Sequence, residues 1–160
     1  MIIGHLGISA LLHRYAKADL APVMIAGMMP DIVDKTLCQI LHLTPSGRMA
    51  AHTLLGLAIS TGIVAAIWGK RTAWSWALGY LGHLVADAGG EVPWLYPFVH
   101  YDFPPSPSLW ETLMYRLSHP LTLLPELFLC IWAGFANGMG SRFWILDFGK
   151  NRKYEARGKE

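Results

Sequence analysis

At 160 residues the chain has the length of a single domain, yet 53% of it is hydrophobic and only 15% is charged, against about 25% charged in an average soluble domain. So few charges cannot clothe a water-soluble fold of this size, and a mean hydropathy of +0.34 with seven Trp agrees, so the composition points to a protein embedded in lipid. A net charge of +2 says little alone; its distribution along the chain matters more, and no nucleic-acid partner is expected. Cys38 and Cys130 stand in no CxxC or paired spacing and read as lone buried thiols, with no disulfide.

The N-terminus, Met-Ile-Ile-Gly-His, has no basic n-region, so no cleaved signal peptide is expected. Ile2 to Tyr15 is apolar with His5 and His13 embedded, and Leu20 to Met29 is apolar up to Pro30. These predict a short helical pair joined at Lys17-Ala18-Asp19, each member short for a bilayer crossing. Asp31 to Leu43 predicts an amphipathic helix or an interfacial segment. Met49 to Gly69 holds no charged residue over 21 positions, enough to cross a hydrocarbon core of about 30 Å. Thr72 to Ala86 is likewise uncharged, and Leu117 to Ser141 carries one acid, Glu126. These are three membrane helices. Between the last two, Gly89 to Ser118 holds prolines at 93, 97, 104, 105 and 107 and predicts a structured loop. The expected fold is an all-α, multi-helix integral membrane bundle with short N-terminal helices and a Pro- and aromatic-rich loop at 89–118. Its helical membrane domain covers 1–148, and 149–160 is a basic polar tail.

Charge orders these elements across the membrane. If the turns at 14–19 and 70–71 share a side with the tail, that side holds ten Lys and Arg and the other holds three, Lys35, Arg48 and Arg116. Such a bias marks the cytoplasmic face and puts the C-terminus in the cytoplasm. Trp68, Trp74, Trp76 and Trp144 flank the basic side, and Trp94, Tyr96, Trp110 and Tyr115 lie at the other, as interfacial belts. A soluble bundle with a greasy core conflicts with the uncharged runs.

Placed on this topology, His5, Asp31, Asp34, His52, His83 and Asp87 come from four segments yet fall at one level, on the non-cytoplasmic side. His83 and Asp87 are i, i+4 and Asp31 and Asp34 are i, i+3, so each pair shares a helical face. Ionisable groups are costly near lipid and mark function there, and imidazole with carboxylate suits a divalent metal such as zinc. Simpler roles are open to each: a hydrogen-bonded helix pair for His83 and Asp87, an interfacial ring for His52, a helix cap for Asp31, a solvated terminal ring for His5. His13 reads as interfacial, His42, His100 and His119 as loop or cap residues, Glu126 as a hydrogen-bond partner of a neighbouring segment, and Met24, Met28 and Met29 as packing residues.

His5, Gly27-Met-Met-Pro30-Asp31-Ile-Val-Asp34, Arg48-Met-Ala-Ala-His52-Thr53 and Gly79-Tyr-Leu-Gly-His83-Leu-Val-Ala-Asp87 resemble the YdjM-type membrane-bound metal-dependent hydrolases. The resemblance runs from residue 5 to about Phe98, through Pro93-Trp94-Leu-Tyr-Pro97-Phe98. It implies a divalent metal site in a small helical membrane protein. A wider likeness to zinc-dependent phospholipase C implies Asp31, His52, His83 and Asp87 as metal ligands, with His5 near a neighbouring metal position. The family commonly carries His where this chain has Gly47, and Pro-Asp-x-Asp where this chain has Pro30-Asp31-Ile-Val-Asp34.

The expectation is a membrane-bound metal-dependent hydrolase, attacking an ester or phosphoester with metal-bound water at the extracytoplasmic face of a bacterial inner membrane. Its partners would be the bilayer and a lipid or phosphoester substrate. Asp34 or Glu91 is a candidate general base, and Arg48, one turn before His52, is placed to neutralise a phosphate or orient a ligand carboxylate. A non-catalytic membrane protein stays open beside it, either a transporter or a structural metal site closed by four protein ligands.

Overall fold

The structure, a computed structural model, describes residues 2–89 and 92–138. These residues are helical with irregular connections, and no strand occurs among them. In chain order they form α1 (Ile2–Ala16), α2 (Leu20–Ala26), α3 (Met29–Lys35) continued by a π-helical turn (Thr36–Ile40), α4 (Leu54–Ala86), α5 (Leu109–Ser118) and α6 (Leu124–Gly138), the last entered through a 3-10 turn (Pro120–Leu123).

Although its helical assignment is continuous, α4 is a hairpin. Gly69 takes φ 82° and ψ 172°, a conformation that glycine reaches without a Cβ penalty. Trp76 Nε1 donates to Ser60 Oγ at 3.1 Å, yet along a straight helix these residues would stand about 24 Å apart. The Tyr80 hydroxyl donates to the Ala51 carbonyl, and His83 meets His52. The chain therefore reverses at Gly69 into two antiparallel arms, 54–68 and 70–86, beside the expected turn at 70–71. The first arm starts at Leu54 rather than Met49 for a local reason. The N–H groups of Met49, Ala51 and His52 bond to the Asp34 carboxylate, and Thr53 then caps the helix by accepting from the Gly56 N–H at 2.8 Å.

Two further boundaries differ from the sequence reading. Pro30 opens α3 rather than closing α2, because proline is well placed in a first helical turn where its missing N–H costs nothing. The segment 89–118 is not loop throughout, since its last ten residues form α5. Ser108 and Glu111 cap that helix reciprocally, a signal already present as Ser108-Leu-Trp-Glu111. The apolar run from Leu117 is accordingly divided by Pro120 into α5, the 3-10 turn and α6.

Contacts fix the direction of each helix. The Arg71 guanidinium donates to both Asp19 oxygens at 3.0 and 2.8 Å, and Ser75 Oγ accepts from the Asp19 N–H. The 17–19 and 70–71 turns thus share one end of the bundle. Helix α6 runs parallel to α1, with the Gly4 N–H donating to Glu126 Oε2 and Asn137 Nδ2 to the Ala10 carbonyl. The start of α1, the α2–α3 junction and both open ends of the α4 hairpin meet at the opposite end.

Two helical stretches among the described residues, Leu54–Ala86 and Pro120–Gly138, are long and apolar enough to cross a membrane. Neither is the core helix of a soluble protein, because only 6% and 17% of their most apolar windows are buried. Ile59, Ile63 and Ile67 make one outward stripe and Phe128, Ile131 and Phe135 another. A bilayer accommodates these surfaces, and the helices satisfy their own backbone groups as lipid requires. Inside, Ala26, Tyr80, Leu84 and Val92 form a small core with Met29, Leu57, Trp76 and Trp94 around it. Cys38 and Cys130 are thiols, half-buried rather than fully buried. The tail 149–160, with Arg142 and Trp144, lies outside the described residues, as does the expected boundary at 148.

Candidate metal centre

Four side chains from three places in the chain converge at the open end of the hairpin. Asp31 comes from the first turn of α3, His52 from the segment before α4, His83 from the last turn of α4, and Asp87 caps that helix. One ligand atom from each lies within 4.8 Å of every other, and all four residues are at most 4% exposed.

Hydrogen bonding settles which ring atoms face inward. His83 Nδ1 lies 2.8 Å from the Gly27 carbonyl, which can only accept, so Nδ1 carries a proton. His52 Nδ1 lies 2.8 Å from Asp34 Oδ2, and a carboxylate selects the same tautomer. In neutral rings both Nε2 atoms then present lone pairs, and they face each other at 3.1 Å. Only a proton or a metal ion between them removes that repulsion. Around this pair, His52 Nε2 is 3.6 Å from Asp31 Oδ1 and 3.8 Å from Asp87 Oδ2. Donors about 2.0 Å from a tetrahedral ion stand about 3.3 Å from one another. The donor set therefore fits a divalent ion in both chemistry and spacing.

The electrostatics favour the same occupant. Burial disfavours the imidazolium form of His52, but hydrogen bonds and charge from Asp31 and Asp34 outweigh it and raise its pKa. Burial pushes the Asp31 carboxyl up, yet His52 and the Lys35 ammonium hold it below its ordinary value. Asp87 is held down likewise by His5 and Arg48 against its burial. A field that retains ionised carboxylates and draws a proton onto His52 also draws a metal cation.

Asp34 is occupied differently. It accepts from the N–H groups of Met49, Ala51 and His52 and from His52 Nδ1, and these bonds overcome burial to lower its pKa. It orients His52 and shapes residues 49–52. His5 stacks on His83 with ring centroids 3.8 Å apart, and its Nε2 lies 3.2 Å from Asp87 Oδ1. Its buried Nδ1 has no hydrogen-bond partner among the described residues and lies 3.9 Å from Asp31 Oδ2. Arg48 pairs with Asp87 Oδ2 at 2.9 Å. Glu91 lies outside the described residues.

Sequence reading passed over two participants. Lys35 binds Asp31 Oδ2 at 2.7 Å, and its i, i+4 spacing from Asp31 was visible. The Gly27 carbonyl orients His83 but carries no side-chain signal. Of the remaining histidines, His13 binds the Ala18 carbonyl at 2.7 Å, and His119 caps α5. Glu126 bonds the start of α1 and pairs with Arg116 at 2.7 Å.

Residues 1–146 match the family model of the YdjM inner membrane protein. The chain belongs to the YdjM inner membrane protein family. No curated protein and no solved structure shows detectable similarity to it. Membership in this family accords with the outward apolar helices, and the match covers all four residues of the metal-binding group.

Proposed function

We propose that this YdjM family member is a metal-dependent hydrolase acting on an ester or phosphoester at the membrane surface, with zinc as the ion. The observation that carries this reading is the opposed pair of His52 and His83 Nε2 atoms at 3.1 Å, flanked by Asp31 and Asp87. Mixed nitrogen and oxygen donors of this kind suit zinc. A divalent ion bound there supplies Lewis acidity and lowers the pKa of coordinated water from 15.7 toward about 7.

The chain's own residues supply the rest. Asp34 and the Gly27 carbonyl hold the two imidazoles in the metal-binding tautomer. Lys35 and Arg48 line an open cavity of about 390 Å³ and pair with the site carboxylates Asp31 and Asp87, so the cavity adjoins the buried group through these two cations. A transporter reading has less support, because the buried ionisable groups of the described residues gather at one end instead of lining a path. Asp34 is assigned an orienting role here, since its oxygens are taken up by four N–H donors.

The test is turnover. Detergent-purified protein loaded with zinc is expected to hydrolyse at least one member of a panel of carboxylic and phosphoric esters. Chelation should abolish turnover and zinc should restore it. Stoichiometric zinc without turnover of any ester would replace the hydrolase with a structural site.

We further propose that the metal end faces outward and the Arg71 end lies in the cytoplasm, from the ten-to-three distribution of basic residues. A single cysteine at position 71 is expected to resist membrane-impermeant thiol reagents in intact cells and to label after permeabilisation. Labelling in intact cells would reverse the topology.

A further inference from the structure

A cavity of about 390 Å³ opens beside the metal group, and no acidic side chain lines it. Three cations do, Lys35, Arg48 and Arg116, together with Ser46, Gly47 and Ser106. Each cation is backed by a buried carboxylate, Lys35 by Asp31, Arg48 by Asp87 and Arg116 by Glu126. The acids are at most 5% exposed at their side chains, whereas the cations are 29% to 37% exposed. The acids thus anchor the cations from behind and leave their outer faces toward the cavity. The Arg48 pair engages one terminal nitrogen, and a guanidinium has five N–H donors.

The opposite wall is tied in place. The Gly47 N–H donates to Ser106 Oγ at 2.9 Å, the Ser106 N–H to the Pro45 carbonyl, and Gln39 Nε2 to the Pro107 carbonyl. The proline-rich segment at 104–107 is thereby fastened over the 45–48 segment, and it supplies one uncharged hydroxyl, that of Ser106. Charge balance completes the picture. Asp31, Asp34 and Asp87 oppose Lys35 and Arg48, while Arg116 and Glu126 cancel. A divalent ion would then leave one net positive charge beside the cavity, which a monoanion offsets.

We propose that this cavity is an anion subsite that seats the phosphoryl group of a phosphodiester, with Arg48 and Lys35 as its principal donors and Arg116 at its far rim. The proposal rests on the metal-dependent hydrolase reading and narrows it from esters in general to phosphodiesters. Arginine forks match phosphate oxygens in pairs.

Binding rather than turnover tests it. Full-length protein in maltoside detergent, loaded with zinc, is titrated with three probes: dihexanoyl phosphatidylglycerol, its deacylated soluble diester glycerophosphoglycerol, and dihexanoylglycerol, which has no phosphate. The first two are expected to bind and the third is not. A much tighter first probe identifies a lipid headgroup as the source, and equal affinities identify a soluble diester. Arg48→Gln should weaken phosphodiester binding about tenfold or more, the scale of one charge-assisted hydrogen bond. Gly47→Asp gives an independent arm. A Cβ at 47 would meet only side-chain atoms of Lys35 and Ser106 at 3.5 Å or more, so the variant fits while placing an anion in the cavity. It should abolish binding while zinc per chain, measured by elemental analysis, stays at the wild-type value. Undiminished binding in both variants, or equal binding of dihexanoylglycerol, would overturn the anion subsite. Absence of zinc from the wild type would overturn the metal reading instead, and the Gly47→Asp comparison would still decide the subsite.

Discussion

His83→Ala is expected to lose its divalent ion at free zinc concentrations just sufficient to fill the wild type, and His52→Ala to do the same. The reason is geometric. Each ring reaches the centre through Nε2 only because a second group fixes its Nδ1 proton, the Gly27 carbonyl for His83 and Asp34 for His52. The neighbouring ring, His5, stacks on His83 with its Nε2 on Asp87 Oδ1 and its Nδ1 3.9 Å from Asp31 Oδ2, so it stands beside the four converging residues rather than among them. Protein zinc sites bind with about 10–16 kcal/mol over four ligands, so removing one should weaken affinity at least about a hundredfold. Asp34→Asn should fall between these variants and the wild type, with a loss of about 10–100-fold, because it leaves both nitrogens present but relaxes the ring that Asp34 orients. Competition against a chromogenic chelator, with helicity checked by circular dichroism, reads all three. An Asp34→Asn variant that loses zinc as completely as His52→Ala would identify Asp34 as a direct ligand.

Gly79→Val should be among the most destabilising single substitutions in the helical core. Arm 70–86 of α4 crosses α2 at Gly79, and a Cβ there would collide with the Val23 carbonyl oxygen and stand 3.0 Å from Val23 C and Cα. These are backbone atoms of a helix, so neither side can yield without moving a whole element. Overpacking of this kind costs about 3 kcal/mol, which lowers the melting temperature by roughly 10 °C in a chain of this length. The displacement would reach the metal group too, because His83 lies one turn further along the same arm and is oriented by Gly27 at the end of α2. Gly62→Ala is the comparison. Nothing lies within 4 Å of a Cβ at 62, and alanine favours helix over glycine by about 1 kcal/mol, so its melting temperature should hold or rise. Equal melting of the two variants in detergent would remove the close-approach argument.

Much of this protein is legible in its sequence alone. The uncharged runs identified membrane helices because lipid admits few ionised groups, and that constraint acts residue by residue along the chain. The i, i+4 relation of His83 and Asp87 follows from helical periodicity alone. The shared level of His5, Asp31, His52, His83 and Asp87 came from counting crossings, which requires only that each apolar run reverse the chain. The Ser108–Glu111 capping box is likewise a local signal, present in the sequence itself.

Other features depended on partners distant in sequence. The start of α4 at Leu54 is set by Asp34, whose carboxylate takes up N–H groups that would otherwise extend the helix toward Met49. No local pattern in 49–53 encodes that competition. The tautomer of His83 depends on a backbone carbonyl at Gly27, which every residue possesses and which only the crossing of α2 and α4 brings within 2.8 Å. The three cations of the cavity lie far apart in sequence, at 35, 48 and 116, and only the strap at 104–107 and the fold of α5 against the site gather them. Hydropathy and spacing thus determined which residues lie in lipid and at which end chemistry can occur. Tertiary contacts decided which atoms of those residues face one another, because hydrogen bonds between remote segments orient side chains that periodicity can only place.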